Sequence, residues 1–445
     1  MSAAGDDTAM KVLRDRPPEE LEAFHADIRA RYEAFRARGL SLDMTRGKPS
    51  TAQLDLSNAL LRLPDNIDHQ LADGTDARNY GGSPQGIPEA RELFSTMIGA
   101  PPEQIIIANN SSLAVMHDCI VYALLKGVPG GSRPWREEEG ITFICPVPGY
   151  DRHFAILEEF GIRMVTVPMT GEGPDMDAVE DLAADPSVKG MWCVPKYSNP
   201  TGDVYSDETV HRLAAMKTGA PDFRLFWDNA YALHNLTLPR REIANILEAC
   251  AKAGHADRPF LFCSTSKITF GGAGLALFAA SPENVAWLLA RLKQRTIGPD
   301  KLNQLRHLRY LRNREGLEAL MERHRALLAP KFEMVHSTFE RLLGGTGAAT
   351  WTRPEGGYFI SVDVREGCAR RIIALAGDAG VKLTPGGATF PYGKDPDDRN
   401  IRIAPSYPDL PDLEAASEGI ALSILLGVSE ALLAAAGPGR AARQA

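Results

Sequence analysis

From about residue 100 to about residue 280, short apolar runs that read as strands alternate with longer amphipathic stretches that read as helices. The runs are Gln104-Ile-Ile-Ile-Ala108, Ile141-Thr-Phe-Ile-Cys145, Arg163-Met-Val-Thr-Val167, Met191-Trp-Cys-Val194, Phe223-Arg-Leu-Phe-Trp227 and Phe260-Leu-Phe-Cys263. A strand reached through a helix lies parallel to the one before it and crosses over right-handedly, so the alternation predicts an α/β fold with a mostly parallel sheet flanked by helices. Ligands of such sheets sit past the carboxyl ends of the strands. The turns that follow these runs are therefore where chemistry is expected.

The run Phe260–Cys263 delivers Ser264, Thr265 and Ser266, then Lys267, then a loop with glycines at 271, 272 and 274. Most lysines are solvated surface charges. Hydroxyls and glycines at the mouth of a strand, however, make an anion site close to backbone, and Lys267 is the only amine within it. An amine beside an anion site suits a cofactor carrying both an aldehyde and a phosphate, since the lysine can form a Schiff base with the aldehyde. Pyridoxal 5'-phosphate is such a cofactor. Its ring is a better electron sink when an acidic partner keeps the ring nitrogen protonated, and Asp228 ends the Phe223–Trp227 run, followed by Asn229-Ala-Tyr231. An Asp there also serves as a helix cap. Asn199-Pro-Thr-Gly202, after Met191–Val194, is a turn by its chemistry. Ser111 and Ser112 lie between a strand and the helical pattern of Val115 to Leu125, where they can cap the helix or cradle a phosphate.

Asn199-Pro-Thr-Gly202, Asp228-Asn-Ala-Tyr231 and Ser264-Thr-Ser-Lys267, in this order and roughly thirty to forty residues apart, resemble the pyridoxal-phosphate aminotransferases of fold type I, classes I and II. Thr45-Arg-Gly-Lys-Pro49, Asn79-Tyr-Gly-Gly-Ser-Pro-Gln-Gly86, Thr296-Ile-Gly-Pro-Asp300 and Ser264-Thr-Ser-Lys-Ile-Thr-Phe270 are closer still to the aspartate-aminotransferase-like enzymes labelled MocR-family aminotransferases. The resemblance runs from about residue 40 to about residue 410. It implies a large domain with a mostly parallel mixed sheet and a smaller α+β domain. It also implies transfer of an amino group between an amino acid, aspartate or glutamate being favoured, and a 2-oxo acid, in ping-pong fashion through the pyridoxamine form. A lyase or decarboxylase on the same fold would use the same Lys267, Asp228 and Asn199.

The resemblance further implies residue roles. Lys267 carries the cofactor and then moves the substrate proton, Asp228 holds the ring nitrogen, and Asn199 and Tyr231 bond the ring oxygen. Tyr150 lies on the ring face, and Ser264, Ser266, Ser111 and Ser112 hold the phosphate. Tyr80 reaches the phosphate of a neighbouring subunit, so a homodimer with shared active sites is expected. Gly47 and Arg46 line the substrate side, and Arg402 clamps the α-carboxylate through the forked geometry that Arg has and Lys lacks. The chain departs from the family's commoner pattern eight residues after the lysine, where Leu275 stands in place of a phosphate-pairing arginine. The expected substitutes are Ser264, Ser266, a partner's Tyr80, or a basic residue of Lys293-Gln-Arg295 or Lys301. Arg295 is also, with Arg46, a candidate for a distal carboxylate.

A chain of 445 residues with net charge −8 has ample core and argues against nucleic-acid binding. Its six cysteines show no metal-ligand spacing and read as buried thiols of a reducing cytoplasm; no metal site is expected. The start lacks the features of a secretory signal, and no apolar run reads as long enough to cross a bilayer, so a cytoplasmic location is expected. Leu21, Phe24, Ile28, Tyr32 and Phe35 recur at helical spacing. From Leu302 to Leu343 one long helix or two abutting ones are expected, stopping at Gly344-Gly345. The domains are expected to be an N-terminal helix and arm over 1–65 packing with the small domain, a large cofactor-binding domain over 66–310, a small domain over 311–433 and a flexible tail over 434–445.

Overall fold

The computed structural model describes residues 12–66 and 68–436. It divides into a larger unit, 48–328 with 354–357, and a smaller one made of the residues up to 47, 329–353 and those from 358 onward. The larger unit takes in 48–65 and 311–328. A polar anchor accounts for part of this. Gln53, fully buried, bonds His324 across 3.1 Å, and His324 in turn bonds the backbone at Ile268. Hydrophobic periodicity carries no sign of such a tie.

The larger unit is built on seven strands, β1 (Ile105–Ala108), β2 (Thr142–Val147), β3 (Arg163–Pro168), β4 (Val188–Cys193), β5 (Arg224–Asp228), β6 (Pro259–Ser264) and β7 (Ala276–Ala279). Their spatial order is β1-β7-β6-β5-β4-β2-β3. The pairs from β3 through β2, β4 and β5 to β6 are parallel, and β7 runs antiparallel to both β6 and β1. Every residue of β4, β5 and β6 is buried, as befits parallel strands covered on both faces. Side-chain alternation divides β6 between two cores: Phe260 and Phe262 join Phe143, Trp192 and Phe226 on one face, while Leu261 and Cys263 join Leu225 and Trp227 on the other. Strand β7 was not among the sequence expectations. The link from Ser264 to Ala276 is too short for a helical crossover, so the chain turns back and pairs antiparallel.

Helix α1 (Ser112–Lys126) follows β1 and helix α2 (Asp151–Glu159) follows β2. The leucine-rich stretch after 300 forms two helices, α3 (Lys301–Leu311) and α4 (Arg314–Leu343).

In the smaller unit, Asn400–Ile403, Ile360–Val364 and Ala349–Trp351 form an antiparallel sheet in that order, and Leu42–Asp43 pairs in parallel with Val381–Lys382. Its helix Leu410–Ala436 corrects the sequence reading. It is long and apolar enough, by length and composition, to cross a membrane. Here its residues from Leu413 to Ser429 are largely buried against the helices Pro18–Arg36 and Ala369–Asp378. The hydroxyls of Ser417 and Ser423 donate to carbonyls one turn back, each at 2.7 Å, so they enter this packing without a lost hydrogen bond. Ala434–Ala436, expected to begin the tail, continue this helix, and 437–445 lie outside the described residues. All six cysteines are buried and unpaired.

Candidate active site

Strand β5 ends on Asp228, which is buried. Its Oδ2 lies 3.1 Å from His153 Nε2, and His153 is stacked on Trp192 at 4.2 Å with 7° between the planes. Asp228 Oδ1 is buried and has no hydrogen-bond partner among the described residues. A buried carboxylate oxygen is costly unless something supplies a donor, so this atom could accept from a ligand's N–H. The sequence reading passed over His153. The signal was its place on the opening turn of α2, three residues beyond Tyr150, whose ring meets it edge-on at 4.9 Å. Tyr150, His153 and Asn199 line one small cavity.

Lys267 follows β6 in a short turn and is partly buried. Its Nζ sits 4.8 Å from the centroid of the buried Tyr231 ring. Burial lowers its pKa, while the charge of Asp228 works in the opposite direction. The larger unit thus brings together Lys267, Asp228 and Tyr231.

The turn that carries Lys267 is gripped by three buried histidines. His234 Nε2 donates to Lys267 O across 3.2 Å, and His324 Nε2 donates to Ile268 O across 2.8 Å. His307 Nε2 lies 2.9 Å from Thr269 Oγ1. Burial pushes His234 down to about 3 and His307 down to about 4, and it lowers His324 as well. Above about pH 6.5, the ordinary histidine value, these groups are neutral whether the chain is folded or not. Between pH 6.5 and 4 the unfolded chain takes up protons that the folded one refuses, so stability is lost as the pH falls. At about 1.4 kcal/mol per pH unit and histidine, His234 and His307 together should cost roughly 6 kcal/mol by pH 4. Urea unfolding at pH 7 and at pH 4 measures this, and equal stabilities would contradict it.

Ser111 occupies the N-cap of α1, yet its hydroxyl makes no capping bond, and Ser112 is the first helical residue. The turn before them is tied to the lysine loop: Ser266 Oγ donates to Asn110 Oδ1 at 3.3 Å, and Asn110 Nδ2 donates to Gly271 O at 3.1 Å. Backbone N–H groups at the start of this 15-residue helix and hydroxyls facing a glycine loop make an anion cradle. Ser264 closes β6 and is buried. Leu275 is buried too, and its N–H donates to Thr265 Oγ1 at 2.8 Å.

The basic residues considered as substitutes for an arginine at 275 are engaged elsewhere or exposed. Lys301 Nζ donates to Asn79 O at 2.7 Å and to Gly81 O at 2.5 Å, holding the loop that carries Tyr80. Arg295 pairs with Asp118 at 3.2 Å, and Lys293 is exposed. Tyr80 is 79% exposed and is not gathered with Lys267 in the chain.

The three remaining sequence candidates lie in the smaller unit. Arg402 sits on an edge strand but is only 7% exposed; its guanidinium lies over the Phe359 ring at 5.0 Å and 3.5 Å from Thr384 Oγ1. Thr384 Oγ1 donates to Thr45 O at 3.2 Å. A side chain on Gly47 would collide with the tip of the Phe359 ring, so glycine is required there. The Thr45–Gly47 loop and Arg402 therefore meet around Phe359, a residue the sequence reading did not single out. Arg46 is exposed.

The profile of the family described as aspartate amino-transferase matches residues 17–435. The chain is 52% identical over 418 residues to a relative from Mycolicibacterium smegmatis, covering 93% of this chain and 97% of that one. It is 47% identical over 418 residues to an aspartate aminotransferase of Corynebacterium glutamicum, covering 94% and 96%. The crystal structure of an aspartate transaminase from Corynebacterium glutamicum superposes with a TM-score of 0.93 at 46% identity, covering 95% of this chain and 99% of that one.

Proposed function

The chain belongs to the aspartate amino-transferase family and is an aminotransferase, and on that premise we propose that it moves an amino group between aspartate or glutamate and a 2-oxo acid with pyridoxal 5'-phosphate held on Lys267. The observation that carries this reading is the pairing of a desolvated amine, Lys267 Nζ over the Tyr231 ring, with a buried carboxylate oxygen, Asp228 Oδ1, that has no partner of its own among the described residues. These groups fit the cofactor: an aldehyde needs the amine, a protonated ring nitrogen needs the orphaned oxygen, and a phosphate needs the cradle of Ser111, Ser112, Ser264 and Ser266. When bound, the cofactor supplies an electron sink for the electrons released at the substrate's α-carbon.

The protein's own residues do the rest. Lys267, once its amine is free, takes and returns the α-proton, a task helped by a pKa that burial has already lowered. Asp228, beside His153, would hold the cofactor's ring nitrogen through Oδ1. Tyr231 and Asn199 would hold the cofactor's ring oxygen by hydrogen bonds, Tyr150 would pack against its ring, and Arg402 would take the substrate α-carboxylate through two parallel bonds. Arg46 is the candidate for a distal carboxylate. Tyr80, exposed on a loop that Lys301 holds, serves a neighbouring subunit in a homodimer. The Thr45–Pro49 and Asn79–Gly86 segments support the MocR-labelled subgroup, and the cytoplasm is the compartment this reading implies.

Incubating the purified protein and pyridoxal 5'-phosphate with aspartate and 2-oxoglutarate tests the proposal. Amino-acid analysis should find glutamate rising as aspartate falls, one for one. Aspartate consumed with no glutamate formed would point to another reaction on the same groups and defeat it.

A further inference from the structure

Residues 267, 268 and 269 are each held by a different buried histidine, and we propose that His234, His307 and His324 are positioning residues that fix where Lys267 presents its amine. The inference rests on the reading of Lys267 as the cofactor's anchor.

A lysine side chain is a flexible four-carbon stem, while reaction at its amine needs placement to about an ångström. What a protein can fix firmly is the root of the stem. Here the root is a turn whose own bonds include Ile268 N and Thr269 N to Thr265 O, each at 2.9 Å, and Thr269 Oγ1 to Thr265 O at 3.2 Å; the carbonyls of Lys267 and Ile268 and the hydroxyl of Thr269 are in addition engaged from outside. The three histidines engage them from three directions in the chain: His234 from the loop just past Tyr231, His307 from α3 and His324 from α4.

Their tautomers follow from their second bonds. His307 Nδ1 lies 2.7 Å from Asn303 O, so Nδ1 carries the proton and Nε2 accepts from the Thr269 hydroxyl. His324 Nδ1 accepts from Gln53 Nε2 at 3.1 Å, so its Nε2–H donates to Ile268 O.

The choice of residue type makes sense at this place. The turn needs buried groups that bond well, yet a fixed cation would repel the charge that Lys267 must carry in half of its cycle. A neutral imidazole offers one donor and one acceptor and no charge. Around these rings, His234 faces His324, Lys267 and Lys196, His307 faces Arg306 and Asp300, and His324 faces Arg323. Lys196, Arg306 and Arg323 disfavour a second positive charge there, while Asp300 favours one on His307.

Histidines that merely stapled α3 and α4 in place would affect stability and leave the lysine's ionisation alone, so the test reads that ionisation. His234→Ala, His324→Ala, the conservative His324→Gln and the near-isosteric Thr269→Val are compared with the wild type in two ways. One is the pH titration of the visible band of protein loaded with pyridoxal 5'-phosphate. The other is the pH dependence of the rate at which the apoprotein's Lys267 reacts with free pyridoxal.

Loosening the turn lets water reach an amine whose pKa burial depresses, so both midpoints should rise, by about one pH unit in the alanine variants. His324→Gln should recover much of the shift, and Thr269→Val should show part of it. If the alanine variants do not fold, Thr269→Val and His324→Gln decide. Folded variants with a lower thermal midpoint but wild-type titrations in both assays would overturn the inference. A wild type that forms no visible band would instead refute Lys267 as the anchor, and the reaction with free pyridoxal would still report on the clamp.

Discussion

Lys267→Ala should leave a folded protein whose transamination is slower by at least about a thousandfold. The loss combines two roles that no neighbour can assume. Covalent attachment of the cofactor disappears, and so does the base that moves the α-proton, which alone is worth about a hundredfold to ten-thousandfold. Among the described residues Tyr231 is the ring over which that amine sits, but a tyrosine hydroxyl is a poor base at neutral pH. Stability should not suffer: the wild-type side chain holds a charge that burial disfavours, and alanine removes that cost. Initial rates and thermal unfolding on the same preparation measure both parts. A variant within tenfold of wild-type rate would remove Lys267 from the chemistry.

Asp228→Asn should lower kcat by about a hundredfold to a thousandfold, the range typical of removing one preorganised electrostatic partner from a reacting centre. The substitution preserves size and allows His153 to keep its 3.1 Å contact, so what it removes is charge. With an amide at this position, the orphaned buried oxygen would no longer stabilise a protonated ring nitrogen, and the electron pair left when the α-proton passes to Lys267 would meet a weaker sink. Substrate affinity should change little, because the proposed partner of Asp228 is the cofactor ring and not the substrate. Measured kcat and KM separate these effects. A raised KM with an unchanged kcat would make Asp228 a binding residue.

Much of this site was readable in the sequence because its chemistry is concentrated in turns after apolar strands. Asn199, Asp228 and Lys267 each follow a run whose periodicity is plain, and a parallel sheet places such turns along one edge. The helix-bound groups were not legible. His307 and His324 stand in leucine-rich helical stretches, where a histidine looks like any polar residue on an amphipathic helix, and only the tertiary fold shows them turned inward to the lysine turn. His153 did carry a signal, three residues beyond Tyr150 on the opening turn of α2. Strand β7 escaped because Ala276–Ala279 is short and lacks β-branched residues. The helix Leu410–Ala436 was under-read because its acidic residues are concentrated near its start, which masks how apolar the remainder is.

The central claim is that one amine, Lys267 Nζ, forms the covalent link to the cofactor. Borohydride reduction of the wild-type protein loaded with pyridoxal 5'-phosphate, followed by mass mapping of its peptides, tests this most directly. The account predicts a phosphopyridoxyl group on Lys267 at close to one per chain. A label on Lys196 or Lys301 instead, or no stable label at all, would contradict it.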